Sequence, residues 1–318
     1  MKKTLFLTLA LLLTAGFIFG QSQKREGESK SDLNWSPSRA TISVTPIDGT
    51  TVTAGDLVES IVGSGISYSN VSYTGTIGAS IGSAGLFTNG NDAGIGIDEG
   101  ILLGSGYALN ARGPNATDGS TDVLGTGGDP DLTTLAGFTT NDATVLEFDF
   151  VPDADTVFIT FVFSSEEYNE FVNSTFNDVF AFYVNGINIG LIPGTALPVT
   201  INNVNNGNPF GSTPNSFPQF YINNDLDDGG PFFDFEPDGF TTVLTDFAIV
   251  NAGITNTMKI AIADASDDQL DSWVFIKAES FSPDPGDPEI PLSPWSLLIG
   301  AVLIAGAIWF RMTRISRA

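Results

Sequence analysis

Short apolar runs separated by turn-forming residues fill the middle of this 318-residue chain. The runs are rich in Val, Ile, Phe, Tyr and Thr, and Gly, Asn, Asp and Pro lie between them. Several runs alternate with period two, as in Phe158–Phe163 and Val145–Phe150, which is typical of strands. The clearest predicted strands are Thr144–Val151, Thr156–Phe163, Asp178–Val184, Val199–Asn203, Gln219–Ile222, Thr241–Ile249, Met258–Ala263 and Ser272–Phe281. Many short strands with such turns predict an all-β fold, a β-sandwich or jelly-roll.

Helical periodicity is nearly absent from the same region. Asp56–Val62 is the one short helix predicted, because Leu57, Val58 and Ile61 fall on one side of it. Residues 64–106 are rich in glycine, but apolar residues recur through them, so packed short strands and tight turns are expected there. We predict one domain over residues 41–282, with two sub-domains divided near Pro130 as the alternative.

Hydrophobic segments flank this domain. Lys2 and Lys3 precede an apolar run, which predicts a signal peptide over residues 1–20 and a polar, disordered lead-in over 21–40. Pro291–Phe310 is apolar over 20 residues, and a helix of that length, about 30 Å, spans a bilayer. A proline-rich spacer, 283–290, precedes this predicted transmembrane helix, and a basic tail, 311–318, follows it. The basic tail predicts a cytoplasmic C-terminus and an exported domain with its N-terminus outside.

The exported region is strongly acidic. Between Ala40 and Ile290 there are 34 Asp and Glu residues but only three basic residues, a net charge of −31. Nucleic acid and anionic lipid are therefore poor partners for this region, because phosphate binding needs cations. Metal cations, basic surfaces and sugars remain compatible, as does a plain soluble acidic surface without a partner.

The chain contains no Cys and no His. Disulfides, Ser-His-Asp and Cys-His catalysis and ordinary zinc sites are therefore excluded. Hard cations with oxygen ligands remain available, Ca²⁺ above all.

Two acidic clusters each lie next to an apolar strand. Three Glu residues follow the strand that ends at Phe163, and four Asp residues fall between Ala263 and Ser272. If the adjoining strands pair, the two clusters meet at one sheet edge. The candidate Ca²⁺ ligands are Glu166, Glu167, Asp178, Asp264, Asp267, Asp268 and Asp271. The alternative for each Asp is a turn or loop cap without metal. The segment Asp225–Gly229 begins like an EF-hand loop but lacks the closing Glu, so it is not included.

Several ordered motifs resemble bacterial surface proteins with the choice-of-anchor L domain. The resemblance covers residues 55–281, and it implies an extracellular β domain with no assigned catalytic residues. The matching segments are Gly100–Gly106, Gly113–Asn115, Ser165–Tyr168, Phe176–Phe180, Asn223–Asp225, Asp238–Thr241, Ile262–Asp264 and Leu270–Ser272.

The C-terminal segment is similar to sorting signals of the PEP-C-terminal type, in which an envelope sorting enzyme processes the tail. Pro288-Glu289 is followed by Ile290 where such signals have a second proline. A plain single-span membrane anchor is the alternative, so the protein is expected either to stay in the membrane or to be released after sorting.

These observations together predict a non-catalytic cell-surface or matrix binding and adhesion module, stabilised by Ca²⁺. Its expected partners are the membrane, through the C-terminal helix, and glycans or cell-surface proteins. The alternative is a secreted lectin or a glycoside hydrolase that uses Glu166 or Glu167 with Asp178. Aromatic residues that would stack on sugars are Phe217, Phe220, Tyr221, Phe232 and Phe233.

Overall fold

A computed structural model describes residues 41–211 and 213–285. The signal peptide, lead-in, transmembrane helix and basic tail predicted from the sequence lie outside these residues, as does most of the spacer. The strands are β1 Ser43–Pro46, β2 Ile66–Thr74, β3 Ala84–Thr88, β4 Gly100–Gly104, β5 Thr140–Pro152, β6 Thr156–Ser165, β7 Val179–Val184, β8 Ile187–Asn188, β9 Tyr221–Asn223, β10 Gly239–Thr241, β11 Leu244–Ile249, β12 Asn256–Ala265 and β13 Ser272–Lys277. The helices are α1 Ala54–Ile61, α2 Gly90–Ala93 and α3 Pro130–Ala136.

The strands form two antiparallel sheets. One has the order β1-β3-β4-β13-β6-β10-β9, with β11 also paired to β6, and the other has the order β2-β5-β12-β7-β8. Alternate residues of β6 explain how the sheets meet. Ile159, Phe161 and Phe163 point into the main core between the sheets, whereas Val162 points to a second apolar cluster on the outer face. The protein is thus an all-β sandwich, as predicted.

A third apolar cluster lies on the outer face of the five-stranded sheet. There Leu132 of α3 packs over small residues of β5, β7 and β12, including Ala181, Ala261 and Ala263. Small side chains on these strands let the helix approach closely. The described residues contain no helix long and apolar enough to cross a membrane.

Most of the predicted elements are confirmed, with bounds shifted by a few residues. The predicted helix corresponds to α1, and Leu57, Val58 and Ile61 are buried. A capping box between Thr53 and Asp56 begins it. The strand predicted over Thr241–Ile249 is two strands, β10 and β11, and the one over Ser272–Phe281 ends at Lys277.

The strand predicted over Val199–Asn203 is wrong, since this segment forms a turn. The side chains of Asn203 and Asn205 donate to the backbone oxygens of Pro198 and Ile201, both at 2.9 Å. Such local bonds compete with strand pairing.

Candidate cation site

Strand pairing brings the acidic segments to one end of the sandwich. Ser165, the last residue of β6, pairs with Ser272 at the start of β13 and with Gly239 at the start of β10. Gly239 in turn pairs with Asn223 at the end of β9. Residues just outside these strands therefore meet at the same edge of the sheet. We call this the acidic end. From the sequence, both strands that flank the Asp264–Asp271 loop are expected to pair with β6; β13 does so, whereas β12 lies in the other sheet.

The first set of carboxylates there, the Asp264 group, consists of Asp142, Asp178, Asp264 and Asp271, all at least 98% buried. The carboxylate of Asp178 accepts hydrogen bonds from the Ala265 N–H at 2.9 Å and the Ser272 hydroxyl at 2.7 Å. The two oxygens of Asp271 accept the Asp122 N–H at 3.2 and 3.1 Å. Backbone and hydroxyl donors thus satisfy much of this group.

Asp264 is the exception within its group. It is fully buried, and neither of its carboxylate oxygens meets a donor within hydrogen-bond geometry among the described residues. Burial raises its pKa well above the usual value, and the charges of Asp178 and Asp271 raise it further. Burial and the charge of Asp122 likewise raise the pKa of Asp271. The Asp264 group is thus a set of like-charged side chains that is closed off from solvent.

The other predicted ligands occupy different positions. Glu166 and Glu167 are buried, and the Glu166 carboxylate accepts the Ser120 N–H at 2.9 Å. Asp267 and Asp268 are half-buried in the loop between β12 and β13. There Asp267 accepts the backbone N–H of Gln269 at 3.4 Å, two residues further on, as in a loop cap. The structure thus gathers Asp178, Asp264 and Asp271 and places Asp267 and Asp268 in the adjoining loop.

A second set of carboxylates lies on the other side of β6. Asp118, Asp225 and Asp238 each offer one oxygen, and these three oxygens lie within 4.8 Å of one another. Asp225 and Asp238 are buried, while Asp118 is exposed and opens the set to solvent. With Glu170 and Asn115 these residues form what we call the Asp225 group.

Buried oxygens of this group lack donors. The amide nitrogen of Asn115 donates to one oxygen of Asp238 at 2.5 Å. The other Asp238 oxygen, the Asn115 amide oxygen and Oδ2 of Asp225 accept no hydrogen bond within the described part of the chain. Unpaired buried oxygens are costly, so this arrangement calls for a donor or a cation.

Two side chains hold the segments of the Asp225 group in place. The Asn224 amide donates to the backbone oxygens of Phe235 and Pro237 at 3.0 and 3.1 Å and accepts the Phe232 and Phe233 N–H groups at 2.8 and 2.9 Å. Glu236 accepts the Ala116 N–H and the Thr117 hydroxyl, both at 3.1 Å. These contacts preorganise the loop 224–238 against the segment 115–118.

The electrostatics of the Asp225 group are those of like charges without a counter-ion. Burial and then the charge of Asp225 raise the pKa of Glu170 to about 8. Burial raises the pKa of Asp238 well above its usual value, and the charges of Asp225, Glu170 and Asp118 add to the rise. Burial also raises the pKa of Asp225, although the Asp227 and Asp228 N–H groups oppose this. Among the described residues, no Lys or Arg figures in the main influences on these pKa values.

The oxygen ligands of the Asp225 group suit a hard cation. Three or four carboxylates and one amide oxygen are the ligands that Ca²⁺ takes in proteins, with water completing six to eight positions. The absence of His and Cys from the chain disfavours zinc and copper. Compared with the Asp264 group, this group has a compact oxygen triad and an exposed member through which an ion can enter.

The sequence argument did not select the Asp225 group as a metal site. In the sequence, Asn223–Asp225 and Asp238–Thr241 are recognisable only as family motifs, and the EF-hand spacing fails at Asp225. Asp118 and Asp238 lie 120 residues apart in the chain, so only strand pairing shows that they meet. The usable signal was that both motifs place an Asp directly beside a short strand.

Comparison with known proteins gives one match. No curated protein and no solved structure matches the chain significantly. The family model for the choice-of-anchor L domain matches residues 43–282, which include every described strand. The chain therefore belongs to the choice-of-anchor L domain family.

Proposed function

We propose that this exported, cell-surface associated module binds one Ca²⁺ ion at the Asp225 group and uses the ordered acidic end to bind a partner. The family supports the cell-surface setting. One observation supports the Ca²⁺ ion. Buried oxygens of Asp225, Asp238 and Asn115 receive no hydrogen bond from any described residue, and the exposed carboxylate of Asp118 lies beside them. A divalent cation would satisfy these oxygens and neutralise the repulsion among the carboxylates.

The position of the site supports a role in binding. The loop 224–238 carries Phe232, whose side chain is 57% exposed, and Phe210 is 60% exposed near Glu170. Exposed aromatic side chains are the residues that most often anchor protein or sugar partners. An ion that fixes this loop would also fix the surface that presents Phe232. Its expected partners are cell-surface proteins or glycans.

The candidate catalytic carboxylates support binding in preference to turnover. Glu166, Glu167 and Asp178 are each no more than 1% exposed. A glycoside hydrolase needs both carboxyls at the scissile bond, with room for a sugar between them. We therefore propose a non-catalytic module. Of the aromatics considered for sugar stacking, Phe217, Phe220 and Tyr221 pack against the main core and Phe233 against the outer one, which leaves Phe232 exposed.

A lectin role is the second candidate, and one groove favours it. A groove of about 410 Å³ on the outer face of the five-stranded sheet is lined by polar side chains, among them Asn70, Glu147, Asp149 and Lys259, beside Tyr183. Carboxylates, an amide and an ammonium can bond sugar hydroxyls, and an aromatic ring can stack on a sugar face. A glycan array with wild type and Lys259→Ala tests this role: a bound glycan lost in the variant supports it, and an array without hits rejects it.

The C-terminal segment completes the proposal. Residues 291–310 would hold the protein in the membrane after the spacer 283–290, or an envelope sorting enzyme would release it. Expression in a bacterial host and fractionation separate these outcomes, because a retained anchor keeps the full mass in the membrane fraction and sorting shortens the chain.

Thermal melting of the full chain in mild detergent tests whether the protein binds Ca²⁺. After exhaustive chelation, added Ca²⁺ is expected to raise Tm, because an ion that binds only the native state stabilises it. Mg²⁺ at the same concentration is the control and should act more weakly, since it gives up its own water reluctantly. An unchanged Tm in Ca²⁺ would reject the proposal.

A further inference from the structure

The chain leaves the sandwich at the end opposite the acidic end. Ser282 pairs with Phe158 near the start of β6, with backbone bonds of 2.8 and 3.3 Å. Beyond it, Pro283, Asp284 and Pro285 run beside Ser64, Gly65 and Asp153. The acidic residues lie past the other end of β6, so the 10 residues of this strand separate the two ends by about 30 Å. We call the end at Ser282 the exit end.

Large apolar side chains are exposed at the exit end. Phe247 and Ile249 of β11 pair with Phe158 and Thr156 at the start of β6 and are 59% and 72% exposed. Ile254, in the turn from β11 to β12, is 58% exposed. Ile187 is 70% exposed beside Val184, which pairs with Met258 near the start of β12. Four exposed apolar side chains thus belong to turns and strand ends on one end of the molecule.

Phe247 and Ile249 contribute little to the packing of the core. Phe247 and Ile249 alternate with the buried Ala248, so they point away from the core. The Phe247 ring lies against the half-buried Phe158 ring, at 6.1 Å between centroids and 44° between planes. Phe247 and Ile249 are thus neighbours on the exposed face of β11, and neighbouring exposed apolar side chains mark a surface that binds another surface.

We propose that the exit end rests on the surface of the bilayer, with Phe247, Ile249, Ile254 and Ile187 inserted among zwitterionic headgroups. The argument rests on the anchoring part of the proposed function. The spacer has eight residues, 283–290, and eight residues reach at most about 29 Å in any conformation, so the apolar segment begins within that distance of the exit end. Apolar and aromatic side chains favour the interfacial region of a bilayer.

The negative charge at the exit end favours lipids without a net charge. Asp153 and Asp155 are exposed in the turn between β5 and β6 at this same end. Carboxylates are repelled by the negative potential of anionic leaflets, so zwitterionic headgroups suit this surface better. In this orientation the Asp225 group faces away from the membrane, where a partner of the cell surface can reach it.

Site-specific labelling tests the proposal, because the chain has no cysteine of its own. The full chain is reconstituted into phosphatidylcholine vesicles with an environment-sensitive fluorophore at Phe247→Cys or Ile254→Cys. Phe210→Cys is the matched control, since Phe210 is 60% exposed at the acidic end. Spin-labelled lipid is then added as a quencher. We expect a blue-shifted emission and at least twofold stronger quenching at positions 247 and 254 than at 210.

Each other outcome overturns the proposal and says where it fails. Equal quenching at all three positions would mean that the exit end does not contact lipid specifically. Shielding that rises with protein density at constant lipid would mean that a second copy covers the surface. Flotation of the vesicles tests the anchor separately. A chain that fails to float refutes the anchoring and this inference with it, whereas a floating chain without selective quenching refutes the inference alone.

Discussion

Replacing Asp238 with Asn separates the electrostatic cost of the Asp225 group from its capacity to bind an ion. The variant can keep the hydrogen bond with the Asn115 amide, because an Asn oxygen accepts as the carboxylate does. It removes one charge from a set whose oxygens lie within 4.8 Å of one another. At that separation, two unit charges repel by about 1 kcal/mol in water and about 3.5 kcal/mol at an effective dielectric of 20.

The substitution should affect the stability of the Ca²⁺-free protein and that of the Ca²⁺-loaded protein in opposite directions. Without Ca²⁺, D238N should match or exceed the stability of the wild type, because repulsion is relieved. With Ca²⁺, the wild type should gain more. For a Kd of about 10⁻⁴ to 10⁻³ M, typical of extracellular modules, about 10 mM Ca²⁺ stabilises by about 1.4–2.7 kcal/mol. A domain of this size gains about 2–4 °C per kcal/mol, so the wild-type Tm should rise by about 3–11 °C.

Differential scanning calorimetry of both proteins, chelated and then loaded, measures this difference. The variant should lose most of the Ca²⁺-induced rise in Tm. Asp92→Asn, which removes an exposed charge in α2 outside both carboxylate groups, is the matched control and should keep it. A D238N protein that retains the full rise, or that melts several degrees lower in chelator, would refute the account of this group.

Three further predictions follow from the contacts. The pKa of Glu170 is raised to about 8, so this residue contributes stability that is fully present below pH 4.5 and is lost as the pH rises through 8. In chelated protein, Glu170→Gln should flatten this fall in Tm with pH. A Tm–pH curve that the substitution leaves unchanged would contradict this prediction. Asn224→Ala removes four side-chain bonds and should cost about 2–4 kcal/mol in urea unfolding, whereas Asn208→Ala near the surface should cost less. Gly106→Ala would place a Cβ 1.6 Å from an Asp271 oxygen and should cost about 1–3 kcal/mol. Gly127→Ala, with open space around its position and no positive φ, should be less costly, and equal losses would contradict the close packing.

The fold was largely accessible from local patterns. The period-two alternation in β5 and β6 matches their positions, because alternate residues of each strand face the main core. Prediction failed where polar side chains compete for the backbone, as in residues 199–205. The bounds of β2 are also not predictable from the sequence, because this edge strand exposes much of its surface and shows little apolar alternation.

The site was accessible only in part. Asp264 and Asp271 flank one loop and could be grouped by inspection, and Asp178 joined them through the strand that follows it. The oxygen triad of Asp118, Asp225 and Asp238 depends on three distant segments and on the pairing of β9, β10 and β6. Local spacing carries no information about such a set, and an EF-hand template excludes it.

The central claim is a specific cation site, and calorimetric titration of Ca²⁺ into the chelated full chain tests it most directly. The account predicts one ion per wild-type chain, loss of binding in Asp225→Asn, and retained binding in Asp264→Asn. Absence of saturable binding, or a titration unchanged by Asp225→Asn, would contradict it.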